Sequence, residues 1–377
     1  MDEIKVALFG IGGYAVNYLA EFEHPRREKV RLVGAVDPFA KACAACPVYA
    51  TAEELFAHCQ PDLVVVASPI QLHAEQAITA FRHGCHVALE KPIAPTMQEV
   101  QDILRARDEA GKLLSVGFQF CIGKMMQDVK RDMQAGVFGK LKRMRAIVLW
   151  PRGENYYRPG VGWKGKKYDA EGRPIFDSVL ENATAHYLMN MLFLGETPLY
   201  DIQCQTYRAN PIETYDTAVV RAKVGDDAQA LIAVSHAVDP DKNQNPMWRY
   251  EFEHAVLGYG GVGQQGTWTT VRMDDGTLRE YGKDAEAEGM INLWNMVDAI
   301  RGTDTVHCTG EMAALHTRTL ERLREIQPEA TPFPEAWLVH KGEYTYVPGL
   351  AEALFDCYNN DRMPQWDLSA AALTKDE

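Results

Sequence analysis

The residues whose types and spacing could do chemistry fall in three places. In Ser178-Val-Leu-Glu-Asn182-Ala-Thr-Ala-His186-Tyr-Leu-Met-Asn190-Met-Leu-Phe-Leu-Gly195, three polar side chains recur every fourth position in an otherwise apolar run. On a helix they form one polar file. Burying such groups unpartnered costs on the order of 1–3 kcal/mol each, so they must meet one another or a ligand. An imidazole with an unperturbed pKa of ~6.5 can take up and return a proton at neutral pH; a core histidine satisfied by its neighbours is the competing account. Lys91, in His86-Val-Ala-Leu-Glu90-Lys91-Pro92, follows a short apolar run. An ammonium there can steady a developing alkoxide, whereas a surface lysine lying over Pro92 is the plainer account. Gly10-Ile-Gly12-Gly13-Tyr14-Ala15 is the third place: glycines that let a backbone approach a pyrophosphate, or that serve a turn binding nothing.

The elements around the glycines decide between those two. Ile4 to Phe9 is apolar and rich in strand formers, and Tyr14, Ala15, Tyr18, Leu19 and Phe22 then recur at helical spacing, so the turn joins strand to helix. Gly10 allows the tight turn, Gly12 removes a Cβ from the path of a pyrophosphate, and Ala15 permits close helix packing. A second strand, Val30 to Val36, ends at Asp37, 27 positions beyond Gly10. That carboxylate would accept from both ribose hydroxyls and repel a 2′-phosphate, favouring NAD over NADP. Strand-like Leu63–Ala67, helical Leu72–Phe81, strand-like His86–Leu89, helical Thr96–Ala110 and strand-like Leu113–Phe118 complete the alternation of a doubly wound parallel sheet. Residues 1–120 are therefore predicted to be a dinucleotide-binding Rossmann domain.

The second half reads differently. A helix near Lys124–Gly136 precedes alternating strands near 140–151, 200–209, 215–224, 228–237 and 248–258, which predict an α+β domain with a large, mostly antiparallel open sheet over 121–327. Ser178 and Glu181 have capping-box spacing and Gly195 suits a helix stop, so 179–194 is predicted to be one buried helix. Trp150-Pro-Arg152-Gly-Glu-Asn-Tyr156-Tyr157-Arg-Pro-Gly-Val-Gly-Trp163 reads as a loop whose aromatic faces and arginines suit sugar rings, hydroxyls or a carboxylate. Lys164, Lys166 and Lys167 could meet an acidic or phosphorylated substrate, but a solvated loop is the plainer account and the one expected. Gln119, His236 and Tyr259 are further candidates for substrate contact, with sheet-interior or turn roles the competing account. A cleft between the domains is the expected ligand site. Residues 328–377 form an extension that packs on the core or on a neighbouring subunit.

Composition limits the classes. The 377 residues are 46% hydrophobic and 24% charged, with a net charge of −13, so the field opposes nucleic acid and anionic membranes. No apolar run reaches the ~20 residues of a membrane span, and a cytoplasmic location is expected. The 8 cysteines lack framework spacing, and Cys43-Ala-Ala-Cys46 finds no second pair, so no metal site is expected.

Gly10 to Ala15, Ser68-Pro69 with His73 downstream, and Glu90-Lys91-Pro92 together resemble the Gfo/Idh/MocA family of nicotinamide-dependent oxidoreductases, over the chain to about residue 326. The resemblance implies a substrate-carrying open-sheet domain that builds homodimers or homotetramers, and sugars, polyols or related alcohols as substrates. It places Gly10, Gly12, Gly13, Tyr14, Ala15, Asp37, Ser68, Pro69, His73, Glu90 and Lys91 at the cofactor. Lys91, His186 and Asn182 fall at the reacting carbon, with His186 as proton acceptor. Gln119, Trp150, Arg152, Tyr156, Tyr157, Trp163, Asn182, His186 and His236 are the expected substrate contacts. Asn182 departs from the family's usual Asp four residues before the histidine, and an amide orients an imidazolium without balancing its charge. The leading expectation is an NAD-dependent dehydrogenase, with NADP as the alternative cofactor. The competing functions are a bound-NAD enzyme that oxidises transiently for elimination or glycoside cleavage, and a non-catalytic NAD(P)-binding regulator.

Overall fold

The computed structural model describes residues 3–23, 25–39, 42–157, 162–259, 268–283 and 289–373. The chain forms two compact units, Met1–Gln127 with Ala285–Thr317 and Asp128–Asp284 with Arg318–Glu377. The division expected at residue 120 falls at 127/128, and 285–317, placed in the second domain from sequence, belongs to the first.

The first unit runs β1 (Ile4–Phe9), α1 (Val16–Glu21), β2 (Val30–Val36), β3 (Val48–Tyr49), α2 (Ala52–His58), β4 (Leu63–Val66), α3 (His73–Arg82), β5 (His86–Leu89), α4 (Met97–Ala110) and β6 (Leu114–Val116). The six strands pair in parallel in the order β3-β2-β1-β4-β5-β6. This is the doubly wound sheet expected. Leu63–Val66 is buried throughout, as a strand covered on both faces must be. Thr51 and Thr96 cap α2 and α4 by accepting from the backbone N–H of Glu54 and Glu99, and Gly111, at φ 62°, closes α4. β3 and α2 are absent from the sequence reading, although Thr51-Ala-Glu-Glu54 has capping-box spacing.

After α5 (Gln119–Ile122) and α6 (Lys124–Gln134), the second unit contains β7 (Leu141–Leu149), α7 (Glu154–Tyr157), α8 (Ala185–Gly195), β8 (Tyr200–Arg208), β9 (Thr217–Val224), β10 (Ala228–Ser235), β11 (Gln244–Phe252), β12 (Ala255–Tyr259), β13 (Trp268–Met273) and β14 (Leu278–Lys283). The nine-stranded sheet has the order β14-β13-β12-β11-β7-β10-β9-β8-β15, the last strand being Thr331–Pro332. It is mixed: β7 pairs in parallel with β10, and β8 with β15, while the other neighbours are antiparallel. The strand expected over 248–258 is instead the hairpin of β11 and β12. The single helix expected over 179–194 is also interrupted. Val179–Ala183 forms a π-helical turn, Thr184 leaves helical geometry at φ −108° and ψ 13°, and α8 starts afresh.

The chain then returns to the first unit with α9 (Ile291–Ile300), where Leu293, Met296 and Val297 join the core of β1, β2 and β4. α10 (Gly310–Ile326) leads to the extension: β15 (Thr331–Pro332), the hairpin β16 (Val339–Lys341) and β17 (Tyr344–Tyr346), and α11 (Leu350–Asn360). The extension packs on its own sheet. Ile147, Ala233 and Val219 stand in register across β7, β10 and β9 and share a core with Phe333, Trp337, Leu350, Leu354 and Tyr358. One face of the sheet through which the resemblance implies homo-oligomers thus carries the chain's own C-terminal segment. Among the described residues no helix is long and apolar enough to cross a membrane.

Candidate active site

In the first unit, the carboxyl ends of β1, β4 and β5 lie side by side, with Phe9 paired to Val66 and Val66 to Leu89. Strand order reverses between β1 and β4, where open α/β sheets bind ligands. Gly10 sits there at φ +88°, and a Cβ on it would come within 3.0 Å of the Ala67 carbonyl oxygen, so both conformation and space demand glycine. Gly12 is different. A Cβ there would meet no protein atom within 4 Å, nor would one on Gly13, and this is the open cradle that a pyrophosphate approaching the backbone requires. Ala15 is fully buried. Asp37 closes the loop from the side: its carboxylate accepts from Ile11 N at 3.2 Å and from Phe39 N at 2.9 Å. The residues present therefore fit a dinucleotide.

Five residues placed at the cofactor by the resemblance serve the scaffold of that edge. Tyr14 is half exposed and packs edge-on against Tyr18. The buried Tyr18 hydroxyl donates to Glu90 Oε1 at 2.6 Å, while Glu90 Oε2 accepts from Lys91 N at 3.2 Å. Burial pushes the Glu90 carboxyl up, against the hydrogen bond from Tyr18 and the charge of Lys91. His73, 1% exposed, sets Nδ1 2.8 Å from the Pro92 carbonyl and Nε2 3.0 Å from that of Ser68. Burial pushes its imidazole down to about 4. A neutral ring, which donates to only one of these two carbonyls, thus lies packed between the ends of β4 and β5, one residue beyond Lys91. The Ser68 hydroxyl donates to Gln76, and Pro69 precedes the turn into α3. Gln119, expected at the substrate, has its Oε1 3.5 Å from the Tyr14 hydroxyl in this same unit.

In the second unit the loop after β7 runs beside the end of β10. Trp150 N donates to Ser235 O, Arg152 N to His236 O, and His236 Nδ1 to Trp150 O at 2.7 Å. His236 is 2% exposed, and burial, with the charges of Arg152 and Lys164, pushes it down to about 3. The ring is neutral with its proton on Nδ1. Tyr156, Tyr157, Asp177, Ser178 and His236 line a narrow crevice. Arg158, within the same sequence stretch, lies outside the described residues. Trp163 is half-buried beside Lys164, whose Nζ lies 5.9 Å from its ring.

Asn182 does not continue a polar file into α8. Its Nδ2 donates to Asp177 Oδ1 at 2.9 Å, and Asp177 Oδ2 accepts from Gly165 N at 2.7 Å. The break at Thr184 separates this turn from His186, half-buried in the first turn of α8, and from Asn190, which is buried on the same helix. The site therefore contains a carboxylate the sequence reading lacked. Asp177 directly precedes the Ser178 cap, and that position was the available signal. Lys164, read as solvated, is half-buried over the ring of Tyr156. Glu181, the other end of the capping box, is held by Ser178, Arg324 and Tyr215.

Comparison with known proteins matches the N-terminal part of the first unit to a class. Residues 4–118 fit the family model described as oxidoreductase family, NAD-binding Rossmann fold. The domain is that of the Gfo/Idh/MocA oxidoreductases, and NAD is its cofactor type. Among curated relatives, D-glucoside 3-dehydrogenase of Escherichia coli is 28% identical over 181 residues, covering 46% of this chain and 50% of that protein. 2,7-Anhydro-N-acetylneuraminate hydratase of Mediterraneibacter gnavus is 27% identical over 195 residues, again half of each chain. The chain thus matches about half the length of these relatives. The fold extends further: the WlbA dehydrogenase of Bordetella pertussis, solved with NADH and UDP-GlcNAcA, superposes with a TM-score of 0.71 over 86% of this chain and 96% of that one, at 24% identity.

Proposed function

We propose that this protein is an NAD-dependent oxidoreductase that moves a hydride between nicotinamide and a secondary alcohol or ketone of a sugar-like substrate. The observation that carries the reading is the open glycine cradle at the switch point of the parallel sheet, with Asp37 beside it. Gly10, Gly12, Gly13 and Asp37 would hold NAD, which supplies the hydride acceptor when bound. Asp37 disfavours the 2′-phosphate of NADP. Lys91, at the end of β5, steadies the substrate oxygen as its charge develops. His186 accepts the hydroxyl proton. Asn182 orients the substrate from a turn fixed by Asp177, whose carboxylate supplies negative charge in the place where relatives of the family use an Asp.

Screening sugars, polyols, sugar acids and their keto forms for absorbance at 340 nm with NAD and NADP tests the reading. K91A and H186A are each expected to lower turnover about 100-fold or more while leaving NAD affinity within a factor of about two. Turnover unaffected in both variants would remove them from the proton chemistry. The likeness to a hydratase favours one second reading, a cofactor retained through transient oxidation. Product formed without net NADH would select it.

A further inference from the structure

Two cations in the second unit are gathered round one ring. Lys164 Nζ lies 3.9 Å from the centroid of Tyr156, and Arg152 Cζ 5.0 Å from the same centroid. Among the described residues neither has a carboxylate at ion-pair distance, and Arg152 Nε is buried with no acceptor. The hydroxyl of Tyr157, the next residue, is likewise buried without a partner. Like charges held together with buried donors unmet destabilise a fold unless an anion completes them. Folding alone gives no reason for the arrangement.

We propose that Arg152 and Lys164 form a carboxylate-binding subsite, so that the substrate is a polyhydroxy acid rather than a neutral sugar. This rests on the dehydrogenase reading for the word substrate, but the subsite itself is argued from the second unit alone. The charge count favours a monoanion. Asp177 is the carboxylate that acts on Lys164, and it offsets one of the two positive charges. Its own oxygens are engaged by Gly165 N and Asn182 Nδ2. One excess positive charge suits a carboxylate, whereas a phosphate dianion would be repelled by Asp177. Asp216, the neighbouring buried carboxylate, is taken up by Ala209 N, Asn210 N and Asn210 Nδ2. His236 completes the recognition: with Nδ1 donating to Trp150 O, its Nε2 offers a lone pair to a hydroxyl of the same ligand. The guanidinium supplies paired donors that match a carboxylate, and Tyr156 supplies the face that keeps both cations in place.

Titration calorimetry on the NAD-saturated protein tests this, with D-gluconate and D-galacturonate against D-glucitol and D-galactose, and with D-glucose 6-phosphate as the phosphate arm. At least one carboxylate is expected to bind about tenfold or more tightly than its neutral counterpart, and R152Q and K164Q are each expected to erase most of that margin without changing NAD affinity. The ligand-free variants should melt close to the parent, because relief of the charge repulsion offsets the lost contact with the Tyr156 ring; this separates loss of the site from loss of the fold. Equal binding of acids and neutral sugars, a preference that survives in both variants, tighter binding of the phosphate ester, or no acid binding by a protein that still binds NAD would each overturn the subsite. Acid preference without NADH formation from any alcohol would uphold it and reject the dehydrogenase reading instead.

Discussion

At the scale of residues, Asn182 and Asp177 are one device. Replacing Asn182 by Asp would place two carboxylates at the distance where an amide now donates, 2.9 Å from Asp177 Oδ1. Close like charges raise the pKa of one member of the pair. A carboxyl whose folded pKa lies above its unfolded value contributes stability below the unfolded value and loses it as pH rises through the folded one. N182D is therefore expected to be less stable than the parent by about 1–3 kcal/mol at pH 8 and to recover most of the difference only near pH 3.5, below the ordinary aspartate value of ~3.9. Urea denaturation at the two pH values measures it, and a penalty independent of pH would show that the pair does not act through charge. His73 and Glu90 make a related point. Both belong to motifs that resemble cofactor-binding sequence, yet each is buried in hydrogen bonds that hold the edge where Lys91 emerges.

At the scale of elements, the loop carrying Arg152, Tyr156 and Tyr157 is fixed from two sides. β10 holds its start through Ser235 and His236. The hairpin of β16 and β17 holds its middle: Glu154 N donates to Glu343 O at 2.8 Å and Asn155 N to Glu343 Oε2 at 3.2 Å. Gly153 lies so near that hairpin that a Cβ would stand 2.7 Å from Glu343 O. G153A must push the loop or the hairpin aside, a displacement that costs about 1–3 kcal/mol in a packed site. The expected signature is a KM for the organic substrate raised several-fold or more with NAD affinity unchanged; an unaltered KM would mean the loop does not shape that site.

These contacts also show how far sequence carries. The glycine turn, Asp37 and the cap at Ser178 are legible because the partners lie within one βαβ unit or one helical turn. The parallel pairing of β7 with β10, the grip of Glu343 on the loop and the return of α9 to the first core join residues far apart in the chain, and no local period encodes them. The helix over 179–194 misled for a different reason. Its capping signal was correct, but the apolar run hid a change of geometry at Thr184, where the side chain donates back to Val179 O at 2.7 Å.

At the scale of the whole molecule, the question is whether residues 328–377 are an appendage or a working layer of the second unit. Leu354 on α11 and Leu231 on β10 are both fully buried in one apolar cluster, with Trp337 sealing the same cluster. An appendage would unfold by itself and leave the sheet standing. A layer would share its cooperativity, because a sheet face stripped of cover exposes a contiguous apolar patch that a globular protein does not tolerate. L354A and L231A are each expected to cost about 2–5 kcal/mol. In both, tryptophan fluorescence and far-ultraviolet circular dichroism should report a single coincident transition for this unit. A separate early fluorescence change in L354A, with the sheet's dichroism unmoved, would make the C-terminal segment an independent strap. The coincident outcome would make it the second wall of the core behind the substrate loop.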